Sequence, residues 1–228
     1  MLTISLISLL LPLIAYAGVH IPGALYRLLD VRGEANVPTL FATFQLALAS
    51  ILTLVIGRAE WNSNRTQASY WFGLAPIFAY LAIDETAQLH EAFALLHIAG
   101  PSGLFLFPDW VWPDWIWIVL YGTATAIVGA LYMPFLLRLP MRVAAGFLFG
   151  GAVFVVGALG LETIGLLQTR VQMLPQDHLL VSLRANLEEL CEMTGILIFI
   201  WGALCYLGRS RIGVTFAFTE RQGKSEEP

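Results

Sequence analysis

Lysine is almost absent from this sequence, because Lys224 near the end of the chain is the only one. Charged residues of all types make up only 12% of the 228 residues, and no basic run indicates binding to nucleic acid. The apolar part of the chain therefore has no lysine for a retinal-type Schiff base. The two cysteines, Cys191 and Cys205, fall in one predicted helix, so a disulfide between them is not expected.

Motifs of several common enzyme classes are also missing. The sequence has no G-x-x-x-x-G-K phosphate loop and no H-E-x-x-H zinc-protease motif. Nothing singles out a serine for Ser-His-Asp hydrolysis. Haem held by two histidines is disfavoured by the excess of acidic residues described below.

Long apolar runs are abundant. Hydrophobic residues make up 58% of the chain, and the mean hydropathy is +0.74. Four long runs contain no charged residue: 37–57, 116–137, 143–161 and 193–208. The third run ends just before Glu162, and the fourth begins just after Glu192. Since roughly 20 apolar residues cross the hydrocarbon core of a bilayer, the sequence predicts a multi-pass membrane protein.

We predict an all-α, polytopic membrane bundle of about six transmembrane helices, separated by Gly- and Pro-containing joints. The predicted helices cover residues 2–28, 37–57, 70–98, 114–137, 142–168 and 179–207. Residues 1–208 form the bundle, and residues 209–228 form a polar cytoplasmic tail. A second interpretation of residues 1–17 is a cleaved signal peptide, which would leave five helices, but no Lys or Arg precedes the apolar run.

The basic residues predict the orientation. With both termini in the cytoplasm, eight basic residues lie inside and four outside, which agrees with the positive-inside rule. The inner set is Arg58, Arg65, Arg138, Arg142, Arg209, Arg211, Arg221 and Lys224, and the outer set is Arg27, Arg32, Arg170 and Arg184. We therefore expect a bacterial cytoplasmic membrane protein with both termini cytoplasmic.

Ionisable side chains concentrate in the predicted outer half of three helices. The third helix carries them in "LAIDETAQLHEAF", the fifth in "GLETIG" and the sixth in "ANLEELCEM". They are Asp84, Glu85, His90 and Glu91, then Glu162, then Glu188, Glu189 and Glu192. Helical spacing places Arg184, Glu188 and Glu192 on one stripe, and it turns Glu85 away from His90. Three distant segments therefore deliver acids to one depth, where we expect a shared pocket.

Charge balance predicts a metal. Seven carboxylates and a single arginine, Arg184, cannot all remain ionised in a low dielectric without further cations or shared protons. Carboxylates with imidazole suit iron, manganese or zinc. The expected metal ligands are Asp84, His90, Glu91, Glu162, Glu188 and Glu192. The expected catalytic acids and bases are Glu91, Glu162 and Glu189.

We therefore expect a membrane-embedded, metal-dependent hydrolase or oxidoreductase that acts on a lipid-like or hydrophobic substrate from the outer leaflet. Bundles that bind two irons carry Glu-x-x-His motifs, and their absence here weakens the case for iron. The alternatives are a proton or divalent-cation transporter, and an accessory subunit of a membrane complex. Membrane lipid is the expected partner and nucleic acid is not. The one-sided distribution of the acids favours the enzyme over a conduit.

Overall fold

The structure, a computed structural model, describes residues 7, 10–11, 13–14, 17–30, 33, 36–90, 115–171, 175 and 179–209. Within these residues every regular element is a helix and no strand occurs, as the sequence predicts. The helices are α1 (Gly23–Leu29), α2 (Val37–Glu60), α3 (Arg65–Ala87), α4 (Ile116–Leu136), α5 (Met141–Val155), a π-helix (Val156–Leu161), α6 (Glu162–Arg170) and α7 (Leu179–Arg209).

Four helical segments of the described chain are long and apolar enough to cross a bilayer. They are α2, α4, the rod that runs from α5 through the π-helix into α6, and α7. Helix α3 has 23 residues but is not among them. It begins with Arg65 and ends near Asp84 and Glu85, so its ends are polar. The chain is a helical membrane bundle, as predicted.

The first predicted helix, over residues 2–28, is not continuous. Ala17 and Gly18 form a turn in which Gly18 has a φ of 81°, a conformation that suits glycine. Pro22 then precedes α1, which covers only Gly23–Leu29. Most of residues 1–16, and the predicted tail from residue 210, lie outside the described residues.

Helix α3 ends earlier than the sequence predicts. Gln88 adopts the left-handed conformation, with φ 54° and ψ 42°, and its N–H donates to the carbonyl oxygen of Asp84 at 2.7 Å. The predicted continuous helix over 70–98 is therefore interrupted at Gln88, and residues 91–98 lie outside the described residues.

Two helix pairs build the bundle. Helices α2 and α3 form an antiparallel hairpin in which Asn36 and Asn64 cap the helix starts by accepting from the N–H groups of Thr39 and Gln67. The rod of α5 and the π-helix packs on α7, where Gly150 and Gly195 allow close approach of the backbones. Within the stretch "GFLFG" of α5, Gly150 contacts α7, whereas a Cβ built on Gly146 would have no atom within 4 Å.

The two ends of the bundle differ in packing. We call the end where α2 and α7 begin and α3 finishes the acidic end, and the opposite end the Glu60 end. Near the Glu60 end, Trp71 is fully buried and its ring packs edge-on against Phe135 and Phe147. Glu60 itself is buried, where it accepts from Tyr206 Oη at 2.8 Å and from Ser63 Oγ at 3.0 Å. This half of the bundle is a solid aromatic core.

Candidate functional site

A cavity of about 1320 Å³ occupies the acidic end of the bundle. Its described walls come from α2, α3, α4, the rod of α5, π-helix and α6, and α7. The residues that line it furthest toward the Glu60 end include Leu46, Val128, Gly151 and Ile196. A pocket of this size exceeds the range of about 300–1,000 Å³ that is usual for drug-sized ligands.

The ionisable residues predicted to share a pocket are found around this cavity. Its lining includes Asp84, His90, Glu162, Glu188, Glu189 and Glu192. Glu85 lines it as well and is a charged neighbour of Glu192 on α7. Glu91, predicted both as ligand and as catalytic acid, lies outside the described residues. The catalytic and metal-binding roles of all these residues stay predictions.

Asp84 holds His90 at the end of α3. The carboxylate is buried, with Oδ1 accepting from the backbone N–H of His90 at 2.8 Å. Its Oδ2 lies 3.3 Å from His90 Nδ1. The chain therefore turns back after Ala87, and one side chain fixes both the backbone and the imidazole of His90.

Three aromatic side chains lie beside this pair, and we call Trp117, Tyr121 and Tyr80 the aromatic wall. The His90 ring lies 5.1 Å from the ring of Trp117, and Trp117 packs edge-on against Tyr121 at 5.8 Å. The hydroxyl groups of Tyr121 and Tyr80 lie 2.6 Å apart. These contacts join α4 to the end of α3 and hold aromatic faces against the cavity.

Arg184 joins α7 to the α5–α6 rod on another wall. Its guanidinium Nη1 donates to Glu188 Oε2 and, at 2.9 Å, to the carbonyl oxygen of Leu161, and it lies 3.8 Å from Glu162 Oε2. Leu161 is the last residue of the π-helix, and Glu162 is the first after it. Gly165 makes room, since a Cβ at that position would lie 2.5 Å from Arg184 Cζ.

The remaining acids lie beside this ion pair. The carboxylates of Glu162 and Glu188 are close neighbours, because both lie beside Arg184 Nη1. Glu192 has Glu189, Glu85 and Glu188 as charged neighbours, so α3 and α7 both contribute to the group. Gly157 of the π-helix packs directly on this stretch, because a Cβ there would lie 2.8 Å from the carbonyl oxygen of Glu188.

The described acids are not arranged as a ready metal site. Among residues that the structure describes, no group of three or more His, Cys, Asp or Glu side chains is placed to hold a metal ion. Two of the predicted ligands, Glu162 and Glu188, form ion pairs with Arg184. Asp84 contacts His90 through both oxygens, which suits a residue that orients a ligand.

Sequence reasoning missed the aromatic wall and the supporting glycine. Tyr80 and Asp84 share an i, i+4 face, as do Trp117 and Tyr121, so each pair had a detectable signal. Nothing in the sequence indicated that the two faces meet. Gly165 and the Leu161 carbonyl gave no signal, because their role depends on the position of Arg184.

The fold and the cavity together define a polytopic helical membrane protein. Its acidic cavity extends from the acidic end through about half of the bundle. The chain matches the family described as "Domain of unknown function (DUF8692)" over residues 1–207 and belongs to that family. No curated protein and no solved structure matches the chain.

Proposed function

We propose that this protein is a membrane-embedded, metal-dependent enzyme that acts on a lipid-like substrate. One observation carries the proposal: a single large cavity combines an oriented Asp–His pair and acidic side chains with apolar walls. Paired ionisable groups that converge in one concave site are characteristic of catalytic centres.

The depth of the cavity favours an enzyme over a conduit. Its walls extend from the acidic end only to about Gly151 and Ile196, and the aromatic core around Trp71, Phe147 and Phe199 fills the half beyond. A pathway for protons or divalent cations needs polar groups or water across that half. The buried Glu60 lies on the other side of the core, where Tyr206 and Ser63 satisfy it.

His90 is the proposed general base or metal ligand. Asp84 faces Nδ1, which fixes the tautomer and directs the other ring nitrogen, Nε2, away from the carboxylate. Metal-ligating histidines commonly have such a carboxylate behind them. In this proposal Asp84 positions His90, and Glu189 or Glu192 moves protons or binds the metal.

The metal is proposed from charge and donor chemistry. Of the described residues lining the cavity, seven are acidic, whereas the basic groups are Arg184 and His90. The acids are Asp30, Asp84, Glu85, Glu162, Glu188, Glu189 and Glu192. A divalent iron, manganese or zinc ion would offset two charges and would polarise the substrate or activate water or oxygen.

The site is proposed to face the outer leaflet. The orientation follows from the eight-to-four distribution of basic residues, which places both termini and the Glu60 end in the cytoplasm. Substrate would then reach the cavity from the outer half of the membrane.

Elemental analysis of protein purified without chelator tests the metal. We expect stoichiometric iron, manganese or zinc, lowered by His90→Gln and by Glu192→Gln, and unchanged by the tail variant Glu220→Gln. Turnover is tested by incubating the protein with extracted membrane lipid and comparing products by mass spectrometry with those of His90→Gln. Absence of bound metal, together with a melting temperature unmoved by these ions, would overturn the metal assignment. Identical lipid profiles for wild type and His90→Gln would overturn the enzyme.

A further inference from the structure

Part of the cavity lining is apolar. It includes Leu120, Ala124 and Val128 of α4 and Gly151, Val155 and Ala158 of the rod, and we call the part of the cavity that they line the slot. Leu120 to Val128 spans about 12 Å at 1.5 Å per residue. The residues are small or aliphatic, so the slot fits a hydrocarbon chain.

The slot remains open where Gly151 lies. A Cβ built on Gly151 would have no atom within 4 Å, although Gly151 lines the cavity. In contrast, Gly150 and Gly157 on the same rod are pressed against α7. The open side of the rod therefore faces the cavity and α4, and the closed side holds the bundle together.

The cavity lining has more acidic than basic side chains. The described lining carries seven acidic residues against Arg184 and His90, so an acidic excess remains even after a divalent ion offsets two charges. Trp117 and Tyr121 add aromatic faces at the same level. Acidic groups beside aromatic faces are the combination that recognises ammonium groups, and quaternary ammonium in particular.

We infer that the cavity binds a long-chain amphiphile with an ammonium head, the chain lying in the slot between α4 and α5 and the head beside Trp117 and the acids. This inference deepens the proposed function, since it names the substrate class of the same cavity. Charge complementarity excludes anionic amphiphiles of equal chain length, because the acidic wall repels them.

Native mass spectrometry of the full-length protein in uncharged maltoside detergent tests the inference. The probes are dodecyltrimethylammonium, dodecyl sulfate and tetramethylammonium. We expect a one-to-one adduct with the first probe and at least tenfold weaker retention of the other two. Equal retention of the sulfate would overturn the charge argument, and equal retention of tetramethylammonium would overturn the role of the chain.

A matched pair of glycine variants locates the chain. Gly151→Leu fills the slot, whereas Gly146→Leu lies on the same helix outside the cavity, and neither Cβ meets an atom within 4 Å. We expect Gly151→Leu to weaken the dodecyltrimethylammonium adduct at least tenfold and Gly146→Leu to leave it unchanged. Equal adducts in the two variants would overturn the placement. Thermal unfolding of both variants verifies that they fold.

The two proposals fail in different ways. Loss of metal and of turnover, with the ammonium adduct retained, would overturn the enzyme and leave the binding inference standing. Metal and turnover without a selective ammonium adduct would overturn the binding inference alone.

Discussion

Gly150 and Gly195 face each other with no side chain between them. A Cβ on Gly195 would lie 2.5 Å from the carbonyl oxygen of Gly150 and 2.7 Å from the backbone nitrogen of Phe154. The backbones of α5 and α7 are therefore in direct contact. Further along the same seam, Gly157 lies against Glu188 and Glu192, so this packing also determines where the acids stand.

The first prediction concerns this contact. Gly195→Ala must push α5 and α7 apart, and such overpacking typically costs about 1–3 kcal/mol. We expect a lower midpoint of thermal unfolding in detergent. Gly146→Ala is the control, because it lies in open space and gains the helix propensity of alanine. A Gly195→Ala protein as stable as wild type would contradict the close packing.

The second prediction concerns the ion pair of Arg184 and Glu188. Their side chains are only 16% and 14% exposed, so Arg184→Gln leaves a largely buried carboxylate without its cation. Breaking a buried pair costs about 3–5 kcal/mol, and we expect the lower part of that range because both groups line a cavity. The measurement is the thermal unfolding midpoint. The double variant Arg184→Gln/Glu188→Gln should recover part of the loss, whereas strictly additive losses would show that the two residues are not coupled.

The third prediction concerns the buried acid at the Glu60 end. Tyr206→Phe removes the donor to Glu60 Oε1 and leaves only Ser63 Oγ among the hydrogen bonds described for that carboxylate. An unsatisfied buried acceptor costs about 1–3 kcal/mol, so the unfolding temperature should fall. Metal content and lipid turnover should stay at wild-type levels, since the aromatic core separates this contact from the cavity. Loss of metal in a folded Tyr206→Phe protein would argue against that separation.

The fourth prediction concerns orientation. In a chain with Cys191→Ala and Cys205→Ala, the exposed positions Asn62 and Val171 lie at the Glu60 end and the acidic end. A membrane-impermeant maleimide added to intact cells should label Val171→Cys and should label Asn62→Cys only after the membrane is opened. The reverse pattern would place the cavity in the cytoplasmic half.

Helix positions were largely predictable because apolar runs of bilayer length have few other solutions. The predicted 37–57, 114–137 and 179–207 correspond to Val37–Glu60, Ile116–Leu136 and Leu179–Arg209. The end of α3 was not predictable in this way. The Asp84 side chain competes for backbone N–H groups and captures that of His90, which hydrophobic periodicity cannot reveal.

The acids of the site were also found from sequence, since charge is conspicuous in apolar helices. Their partners were not. The pairing of Arg184 with Glu162 depends on the rotation of the rod relative to α7. The contact of Tyr121 with Tyr80 depends on how α4 packs against α3.

The direction in which Glu162 points depends on the number of residues in the π-helix that precedes it. A π-turn closes i→i+5 hydrogen bonds, so Val156–Leu161 contains one residue more than an α-helical path would need. Deleting Gly160, which has open space around it, would let the segment close as an α-helix and leave Glu162 near its present angle relative to α5, whereas winding all six residues as α-helix would turn Glu162 by about 100°. The π-turns therefore absorb one extra residue and keep Glu162 at the angle at which it meets Arg184.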